Sequence, residues 1–416
     1  MVPNTTIGEI AKVRRGASPR PIGDPKYFGG EVGWVRISDV TKSQKYLKKT
    51  EQYVSPLGES LSVRVGPGAL IMSICATIGR PIIIDMPACV HDGFVLFNDI
   101  KNTDIEFLYY ILQFHEKDFE AKGQPGTQLN LNTTIVENFR IFHPIENEQR
   151  KIASILSSID SVISKTETAI EKYKSIKQGL MQDLFTRGID IKTGKIRQTY
   201  NQAPELYKQT KLGFIPKEWE IDTLKNITNL LTDGSHKSPK TSPSNYLIGN
   251  VKDMLENDFN YDSCTQISKE DFDFLVTQNC SPQKDDVLLS KDGTIGKIIL
   301  FNGNRKIVVL SSIALLRCNE KVKPQFLYSY LKSFYFDREL LKFKTGSALT
   351  RVVIDSIRKM KITFPKDVSE QIEIYNHINS IENYLLVEQN TVKKYKSIKT
   401  GLMQVLLTGR KRVKVD

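Results

Sequence analysis

Few stretches of this sequence have the residue types and spacing that chemistry on nucleotides requires. Both Gly-Lys pairs, Gly194-Lys195 and Gly296-Lys297, are followed by isoleucine, so neither completes the phosphate loop of an NTPase. The stretch from Asp24 to Tyr27 lacks the second proline of the Asp/Asn-Pro-Pro-aromatic motif expected of a DNA amino-methyltransferase, and no Pro-Pro pair occurs anywhere. We therefore predict no catalytic residue in this chain.

The cysteines and histidines are spaced too irregularly for a metal site or a disulfide framework. The five cysteines are odd in number and form no Cys-x-x-Cys motif, and the five histidines lie far apart. We predict no metal or cofactor in this chain and a reducing, cytoplasmic location. The first residues have no apolar core, and no run of about 18 apolar residues exists, so we predict neither a signal peptide nor a membrane span.

The overall charge favours a polyanionic partner. The 416 residues include 59 basic and 47 acidic side chains, a net charge of +12. This balance is typical of nucleic-acid-binding proteins, although ribosomal and membrane-surface proteins share it. The length allows two or three domains, and 40% hydrophobic with 25% charged residues is typical of a soluble protein.

A long internal repeat organises the elements of the chain. The segment from Lys172 to Thr186, KYKSIKQGLMQDLFT, returns from Lys394 to Thr408 as KYKSIKTGLMQVLLT, with 12 of 15 positions identical at an offset of 222. The same offset relates Glu148-Gln149 to Glu370-Gln371, so about forty residues repeat without a gap. A period of this length indicates a duplicated structural unit.

Apolar residues in both copies recur at alternating spacings of four and three, which predicts the seam of a coiled coil. Matching polar interruptions occur at Thr166 and Glu388 and at Lys177 and Lys399. These residues either mark the register of the helix pair or belong to local stutters, in which Ile176 and Ile398 enter the core instead. Two separate amphipathic helices are the simpler alternative, but they do not explain the shared register.

The sequence predicts an α+β fold with two globular units, each followed by a long helix. The stretches Gly29 to Val40 and Gly68 to Gly79 are typical of strands, whereas Ile105 to Phe114 has helical spacing. The predicted segments are a globular unit (1–146), a helix (147–186), a polar linker (187–211), a second globular unit (212–366), a second helix (367–408) and a basic tail (409–416).

The second globular unit repeats short motifs of the first. ATIGR (76–80) returns as GTIGK (293–297), EFLYYIL (106–112) as QFLYSYL (325–331), and GTQL (126–129) as GSAL (346–349). If the ends of one globular unit lie close together, the second helix starts near the end of the first. We therefore predict an antiparallel coiled coil about 57 Å long, with pseudo-twofold symmetry and one globular unit at each end.

Several of these motifs resemble those of the specificity subunits of type I restriction–modification systems. GFIPKEW, from Gly213 to Trp219, is similar to the Gly-x-Ile-Pro-x-x-Trp opening of a target recognition domain in that family. GGEVGWVRISDV, DVLLSKDGTIG, LFTRG, the GTQL and GSAL loops and the Pro…Glu-Gln helix junctions carry the rest of the resemblance. The first unit departs from the pattern by lacking this opening, and the second by lacking a match for Trp34, with Leu247 nearby.

The resemblance implies a non-catalytic prokaryotic subunit that reads a bipartite, interrupted sequence in double-stranded DNA. Each target recognition domain would read one half-site, and the coiled coil would set their separation. Two methyltransferase subunits are implied to supply adenine methylation, and restriction subunits to supply translocation and cleavage; these partners would use S-adenosylmethionine, ATP and Mg. A self-sufficient methyltransferase or nuclease and a DNA-binding protein that acts without partners are the alternative classes.

Candidate DNA-reading residues lie on polar, basic loops. Lys and Arg contact phosphates, whereas Arg also pairs with guanine and Asn or Gln with adenine. Each single residue is also consistent with a solvated surface, and the Gly-Thr and Gly-Ser loops with partner contacts or helix caps. In the first unit the candidates are Arg14, Arg15, Ser18, Arg20, Arg36, Gln128, Asn130 and Asn132. In the second unit they are His236, Lys237, Ser238, Lys240, Lys291, Thr350 and Arg351.

The lysine- and glutamate-rich sides of the helices are consistent with plain solvation. The identity of KYKSIK and GLMQ in both copies instead favours a partner that binds twice, and we predict one methyltransferase per copy. The predicted contact residues are Lys172, Tyr173, Lys174, Lys177 and Met181, with the counterparts Lys394, Tyr395, Lys396, Lys399 and Met403.

Overall fold

The structure, a computed structural model, describes residues 3–123, 131–343 and 351–414. Its internal contacts divide the chain into two units. Unit 1 comprises Met1–Thr168 and Gln389–Asp416, and unit 2 comprises Ala169–Glu388. Both boundaries fall inside long helices, so each unit contains one segment of each long helix.

The first part of unit 1 is a mixed α+β domain. Its elements are β1 (Asn4–Thr6), α1 (Ile7–Ile10), β2 (Lys12–Arg15), β3 (Phe28–Val35), α2 (Ile37–Lys42), β4 (Tyr46–Leu47), β5 (Gln52–Val54), α3 (Pro56–Ser60), β6 (Val63–Val65), β7 (Leu70–Ser73), β8 (Pro81–Ile84), β9 (Ala88–Val90), β10 (Phe94–Asn98), α4 (Ile105–Phe114), α5 (Glu116–Ala121), α6 (Thr133–Glu137) and β11 (Arg140–Phe142). The long helix α7 (Glu146–Thr186) follows.

Two sheets form the framework of unit 1. One has the strand order β2-β10-β7-β8-β4, and the other the order β5-β3-β9-β6. In β7, Ile71 packs between the two sheets, whereas Leu70 and Met72 pack into a second core that includes α4 and the start of α7. The strand is apolar up to Ser73 because both of its faces are covered.

Unit 2 has a similar α+β domain. Its elements after α7 are β12 (Ile189–Asp190), β13 (Lys195–Ile196), β14 (Tyr207–Thr210), β15 (Gly213–Pro216), β16 (Trp219–Thr223), β17 (Thr228–Asp233), β18 (Thr241–Gly249), β19 (Thr265–Ile267), α8 (Lys269–Thr277), β20 (Val287–Ser290), β21 (Ile298–Leu300), β22 (Ile307–Val309), β23 (Ile313–Cys318), α9 (Pro324–Leu331), α10 (Phe334–Leu341), α11 (Ile354–Lys359), β24 (Lys361–Pro365) and α12 (Val368–Leu406).

The sheets of unit 2 repeat those of unit 1. The order β17-β23-β20-β21 corresponds to β2-β10-β7-β8, and β19-β18-β22 corresponds to β5-β3-β9. In each unit the second of these sheets contains one parallel pair, β3 with β9 and β18 with β22. In this register Trp34 pairs with Cys89 and Ile248 with Val308, so Ile248, beside Leu247, occupies the position of Trp34. The α+β fold and its duplication are confirmed.

The two long helices run antiparallel within each unit. In unit 1, Asp160 of α7 pairs with Lys399 of α12 at 2.7 Å, and Glu167 pairs with Lys396 at 2.7 Å. Residue numbers therefore rise along one helix as they fall along the other. The predicted antiparallel pairing is confirmed, and the observed helix ends lie within two residues of the predicted ones.

In unit 2 the same arrangement is formed by a different set of side chains. Lys177 Nζ lies 2.5 Å from Glu382 Oε1, and the Tyr173 ring stacks on Tyr384. Of the two alternatives for the polar interruptions, the stutter is wrong. Lys177 and Lys399 occupy the seam with side chains only 21% and 16% exposed, whereas Ile176 and Ile398 are exposed.

The segment predicted as a linker, 187–211, is instead a folded part of unit 2. It contains the hairpin β12–β13 and the strand β14, and it buries Ile189, Ala203 and Tyr207. Arg197 reaches the buried carboxylate of Glu370 through two hydrogen bonds, of 2.5 and 2.9 Å. This segment was misread because its anchoring residues are few and separated by polar ones.

Candidate nucleic-acid interface

A cluster of cations surrounds Asp92 at the edge of the larger sheet in unit 1. Ser18 Oγ donates to Asp92 Oδ1 at 2.8 Å, and Arg20 Nη2 lies 2.5 Å from Oδ2. Arg15, at the end of β2, donates from Nε to the Asp92 carbonyl at 2.7 Å. Although burial opposes ionisation, the Ser18 hydrogen bond and nearby His91, Arg20 and Arg15 lower the pKa of Asp92. The structure thus brings three predicted residues together around an anionic centre.

The path of the chain after β2 requires a glycine. A Cβ at Gly16 would lie 2.2 Å from the His91 carbonyl oxygen, so a larger residue would push these two segments apart. Along β2, Val13 is buried, whereas Arg14 and Arg15 are exposed. Both arginines are therefore fixed by backbone geometry with their side chains at the surface. Such side chains are suited to phosphates and guanine edges.

Arg36 lies apart from the Asp92 cluster, just before α2. Its backbone N–H donates to Asp39 Oδ2 at 2.9 Å, and its Nη2 donates to Glu51 Oε2 at 2.6 Å. Its Nε is buried without a hydrogen-bond partner. The guanidinium is therefore held in place by carboxylates and remains about one-third exposed.

Of the three predicted polar residues around the GTQL loop, the structure describes only Asn132. Its Oδ1 accepts from Ile135 N at 2.8 Å and caps α6. The side chain is exposed, so its amide nitrogen can still face a ligand. Gln128 and Asn130, like Thr350 of the second unit, lie outside the described residues.

The corresponding edge of unit 2 is built around a buried lysine. Lys291 Nζ lies 3.5 Å from Asp233 Oδ2 and 3.4 Å from Asp292 Oδ2, and the side chain is 1% exposed. The expectation that Lys291 lies on an exposed basic loop is therefore wrong. A buried ammonium is tolerated here because the two carboxylates compensate its charge.

The remaining candidates of unit 2 surround this ion cluster. His236 Nε2 lies 3.3 Å from Asp233 Oδ2, and Arg351 Nε lies 3.3 Å from Asp292 Oδ1. Lys237, Ser238 and Lys240 follow His236 on the same loop, and all three are exposed. Except for Lys291, the candidates that the structure describes here are at the surface.

The two edges share one backbone frame. Ile74 N donates to Gly93 O and Lys291 N donates to Ser312 O, each at 2.8 Å. Ile74 O accepts from Leu131 N at 3.0 Å, and Lys291 O accepts from Val352 N at 2.8 Å. Ile74 and Lys291 are therefore structural counterparts, each almost fully buried. The same frame positions different side chains in the two units.

The predicted contact residues of the repeated helix segments differ in burial; the exposed lysines among them are called the exposed layer below. Lys172, Lys174, Lys394 and Lys396 are exposed, and Tyr173 and Tyr395 are half-buried. Met181 and Met403 are largely buried in the cores of unit 2 and unit 1, and each also lines a groove between the helix and the domain of its unit. Their contact with a partner stays a prediction. They follow the seam lysines Lys177 and Lys399 by four residues, so they lie on the side of the helix that faces the domain.

Lys177 and Lys399 are also largely engaged inside their own units. Lys399 Nζ donates to Gln113 Oε1 at 3.0 Å in addition to its ion pair with Asp160. Lys177 shares Glu382 with Lys332, whose Nζ lies 2.9 Å from the same carboxylate oxygen. Their matched identity in the repeat therefore has an internal explanation.

The helix–domain grooves next to these lysines are duplicated. In unit 2 a groove of about 690 Å³ is lined by Lys174, Gln178 and Phe334, among others. In unit 1 a groove of about 460 Å³ is lined by Lys396 and Thr400, the repeat counterparts of Lys174 and Gln178, and by other residues. The exposed layer of the repeat thus borders a similar concave surface in each unit.

The described residues can be compared with the requirements of a metal site and of a thiol nucleophile. Among them, no group of three or more His, Cys, Asp or Glu side chains is arranged to hold a metal ion. Burial raises the pKa of Cys89 to about 11 and that of Cys318 to about 12, so these thiols stay protonated and are poor nucleophiles. No helix in the described chain is both long and apolar enough to cross a bilayer.

Sequence reasoning missed the carboxylates that organise these surfaces. Asp92, Asp233 and Asp292 hold the cations of the two edges, but isolated aspartates at strand ends and in loops carry no distinctive pattern. Glu148 and Glu370 were noted only as repeat markers. Arg412 binds Glu148 through hydrogen bonds of 2.6 to 3.1 Å, much as Arg197 binds Glu370. The repeat itself was the signal that could have identified this pair.

Comparison with known proteins points to one family. The family model for the type I restriction modification DNA specificity domain matches residues 2–176 and 216–399. The MjaVIII specificity subunit of Methanocaldococcus jannaschii is 26% identical over 76% of this chain and 72% of its own length. The MjaIX specificity subunit of the same organism is 24% identical over 98% of this chain and 92% of its own length.

A solved structure has the same fold. The S subunit of a type I restriction-modification system from M. genitalium superposes with a TM-score of 0.60 at 15% identity. The match covers 97% of this chain and 96% of that one. The likeness therefore extends over both units and both long helices.

Proposed function

The chain belongs to the type I restriction–modification DNA specificity family and is a DNA-recognising subunit of such a system; on this basis we propose that its two units read the two halves of an interrupted DNA site. The observation that carries this proposal is the shared backbone frame of the two edges, in which Ile74 and Lys291 are counterparts. A frame that is kept while its side chains differ is suited to reading two different half-sites.

The two edges have different recognition chemistry. In unit 1, Arg15 and Arg20 are exposed next to Asp92, and Arg14 is exposed on the same strand. Arginine forms paired hydrogen bonds with guanine O6 and N7 and also neutralises phosphates. In unit 2 the exposed loop from His236 to Lys240 and the side chain of Arg351 supply fewer guanidinium groups. We therefore expect the half-site of unit 1 to depend more on guanine.

Catalysis is assigned to partner subunits. We expect two methyltransferase subunits, which use S-adenosylmethionine, and restriction subunits, which use ATP and Mg. Each methyltransferase would dock on the exposed layer of one helix repeat, at Lys172 and Lys174 or at Lys394 and Lys396, beside the groove of that unit. A surface that occurs twice accounts for two identical partners.

Methylation mapping tests the proposal. DNA from cells that contain this chain and its methyltransferase should carry modified adenines in two half-sites separated by a fixed gap. Replacing residues 5–145 with the corresponding segment of another family member should change one half-site and leave the other unchanged. Simultaneous change of both half-sites would contradict the assignment of one half to each unit.

The partner assignment has its own tests. The purified chain should transfer no methyl group from S-adenosylmethionine to DNA, whereas the co-purified complex should do so. Native mass measurement of that complex should give two methyltransferases per chain. A complex with a single methyltransferase would refute docking at both repeats. It would leave the assignment of one half-site to each unit unaffected.

A further inference from the structure

Unit 2 contains a further pocket, which shares only Tyr335 and Arg338 with the groove described above. Its volume is about 340 Å³, at the small end of the ~300–1,000 Å³ range typical of ligand pockets. The hairpin β14–β15, the helix α10, the strand β24 and the last turn of α7 form its walls. None of the candidate DNA-reading residues of unit 2 lines it.

The rim of this pocket is strongly cationic. Lys211, Arg338, Lys342 and Lys361 line it, together with a single carboxylate, that of Glu339. Lys342 Nζ pairs with Glu339 Oε2 at 2.5 Å. Within the part of the chain that the structure describes, the other three cations form no ion pair. Three unneutralised charges around one cavity favour a ligand with several negative charges.

Aromatic rings supply the rest of the lining. Phe214 is 40% exposed, and one side of its ring is supported by Tyr200, with the two ring centroids 3.8 Å apart. Tyr335 and Tyr330 line the inner part of the pocket, where Tyr330 is almost fully buried. Rings held rigidly in this way provide flat surfaces on which another ring can stack.

Among the described residues, the hairpin that closes this pocket occurs in unit 2 only. The outer wall of the pocket is the hairpin β14–β15, and the described residues of unit 1 contain no corresponding hairpin. A function common to both units, such as half-site reading or methyltransferase docking, would place the site in both. The asymmetry therefore indicates a separate role.

We propose that this pocket binds a small phosphate-bearing ligand with a flat ring, of mononucleotide size. Lys211, Arg338 and Lys361 would contact the phosphate oxygens. The rings of Phe214 and Tyr335 would contact the base. DNA backbone phosphates share the charge but not the size of this ligand, and the experiment below separates the two sources.

Calorimetric titration of the full chain tests the proposal, with ADP, pyrophosphate and adenosine as probes. ADP should bind, and adenosine should bind at least about 10-fold more weakly because it lacks the phosphates. Lys361→Gln should weaken ADP binding by about 10-fold, since it removes one charge from the rim. Arg338→Gln is a second variant, and it should weaken ADP binding by a similar factor.

Lys366→Gln is the matched control. Lys366 follows the same strand, is exposed and pairs with Glu220 outside the pocket, so ADP affinity should stay unchanged. Equal losses for Lys361→Gln and Lys366→Gln, or equal affinity for ADP and pyrophosphate, would overturn the proposal. Absence of ADP binding would overturn it as well. If Lys361→Gln then weakened the binding of duplex DNA, the cations would belong to a contact with the DNA backbone.

Discussion

The edges of the two units place opposite kinds of side chain in the same buried position. Ile74 is surrounded by apolar neighbours in the core of unit 1, whereas Lys291 lies between Asp233 and Asp292. Both residues make equivalent backbone hydrogen bonds to the two neighbouring segments of the chain. The difference shows that this backbone frame accepts a buried lysine in place of isoleucine when the two compensating aspartates are present as well.

The strongest way to break this comparison is to transfer the lysine without its partners. The positions of Asp233 and Asp292 correspond in unit 1 to Arg15 and Cys75. Ile74→Lys should therefore bury an uncompensated ammonium beside another cation and cost about 4 kcal/mol of the free energy of unfolding. Denaturant unfolding followed by circular dichroism measures this loss.

Ile74→Val separates the effect of charge from that of volume, and it should cost only about 1 kcal/mol. Equal losses for the valine and lysine variants would mean that packing, rather than charge, determines what this position accepts. The half-site read by unit 2 should stay unchanged in both variants.

The reverse replacement, Lys291→Met, should have a smaller effect. It removes the ammonium but leaves two carboxylates that are 17% and 28% exposed and can reach water. We expect a loss of about 2 kcal/mol in the free energy of unfolding. Methylation mapping should report a changed or relaxed sequence only in the half-site of unit 2; a change in the other half would contradict the separation of the two edges.

The helix seam sharpens the comparison through pH. Burial raises the pKa of Glu382, but Lys332 and Lys177 lower it more, so that its pKa lies below the ordinary 4.5. Because the folded pKa is depressed, this group stabilises the fold above the unfolded pKa. The contribution is lost as pH falls from about 4.5 through the lower folded value.

Glu382→Gln should therefore remove part of the acid sensitivity of thermal unfolding and cost about 1–2 kcal/mol at pH 7. Glu373→Gln, at a position of α12 without an ion pair in the described chain, is the control and should leave the pH dependence unchanged. Identical pH profiles for wild type and Glu382→Gln would show that the seam pair contributes nothing to stability.

The smallest expected effect concerns Gly179 and Gly401, which occupy matching helical positions. A Cβ at either position would meet nothing within 4 Å. Gly179→Ala and Gly401→Ala should each raise the free energy of unfolding by about 0.5–1 kcal/mol, because alanine favours the helix. A loss of methyltransferase binding in these variants, measured by native mass, would indicate close approach of the partner at the glycines; destabilisation of the free chain would contradict the open surroundings.

Sequence reasoning predicted the features that depend on repetition. The offset between Lys177 and Lys399 identified both helices and their ends, because long periodic segments leave a strong signal. Their pairing direction was predicted separately, from the expectation that the two ends of a globular unit lie close together. The seam lysines were ambiguous only because a one-dimensional pattern cannot show whether Ile176 or Lys177 faces the domain. The choice between these two residues requires the position of the partner side chain on the antiparallel helix, which for Lys177 is Glu382.

The candidate interface was predicted less completely. Arg15, Ser18 and Arg20 were chosen as candidates because they cluster in sequence, and the structure brings them together at Asp92. Lys291 was misplaced because its compensating carboxylates include Asp233, which lies 58 residues away in the chain. Burial that depends on such distant partners leaves no local trace.

The division of the two long helices between the units determines which unit is completely synthesised first. Unit 2 is continuous in the chain, from Ala169 to Glu388, whereas unit 1 needs the segment that starts at Gln389. A ribosome that adds about 5–20 residues per second releases everything unit 2 requires before it releases the last strip of unit 1. The half of the molecule that begins first must therefore wait for the other, its apolar cleft at Ile152 and Leu156 unfilled until Met403 and Leu406 emerge.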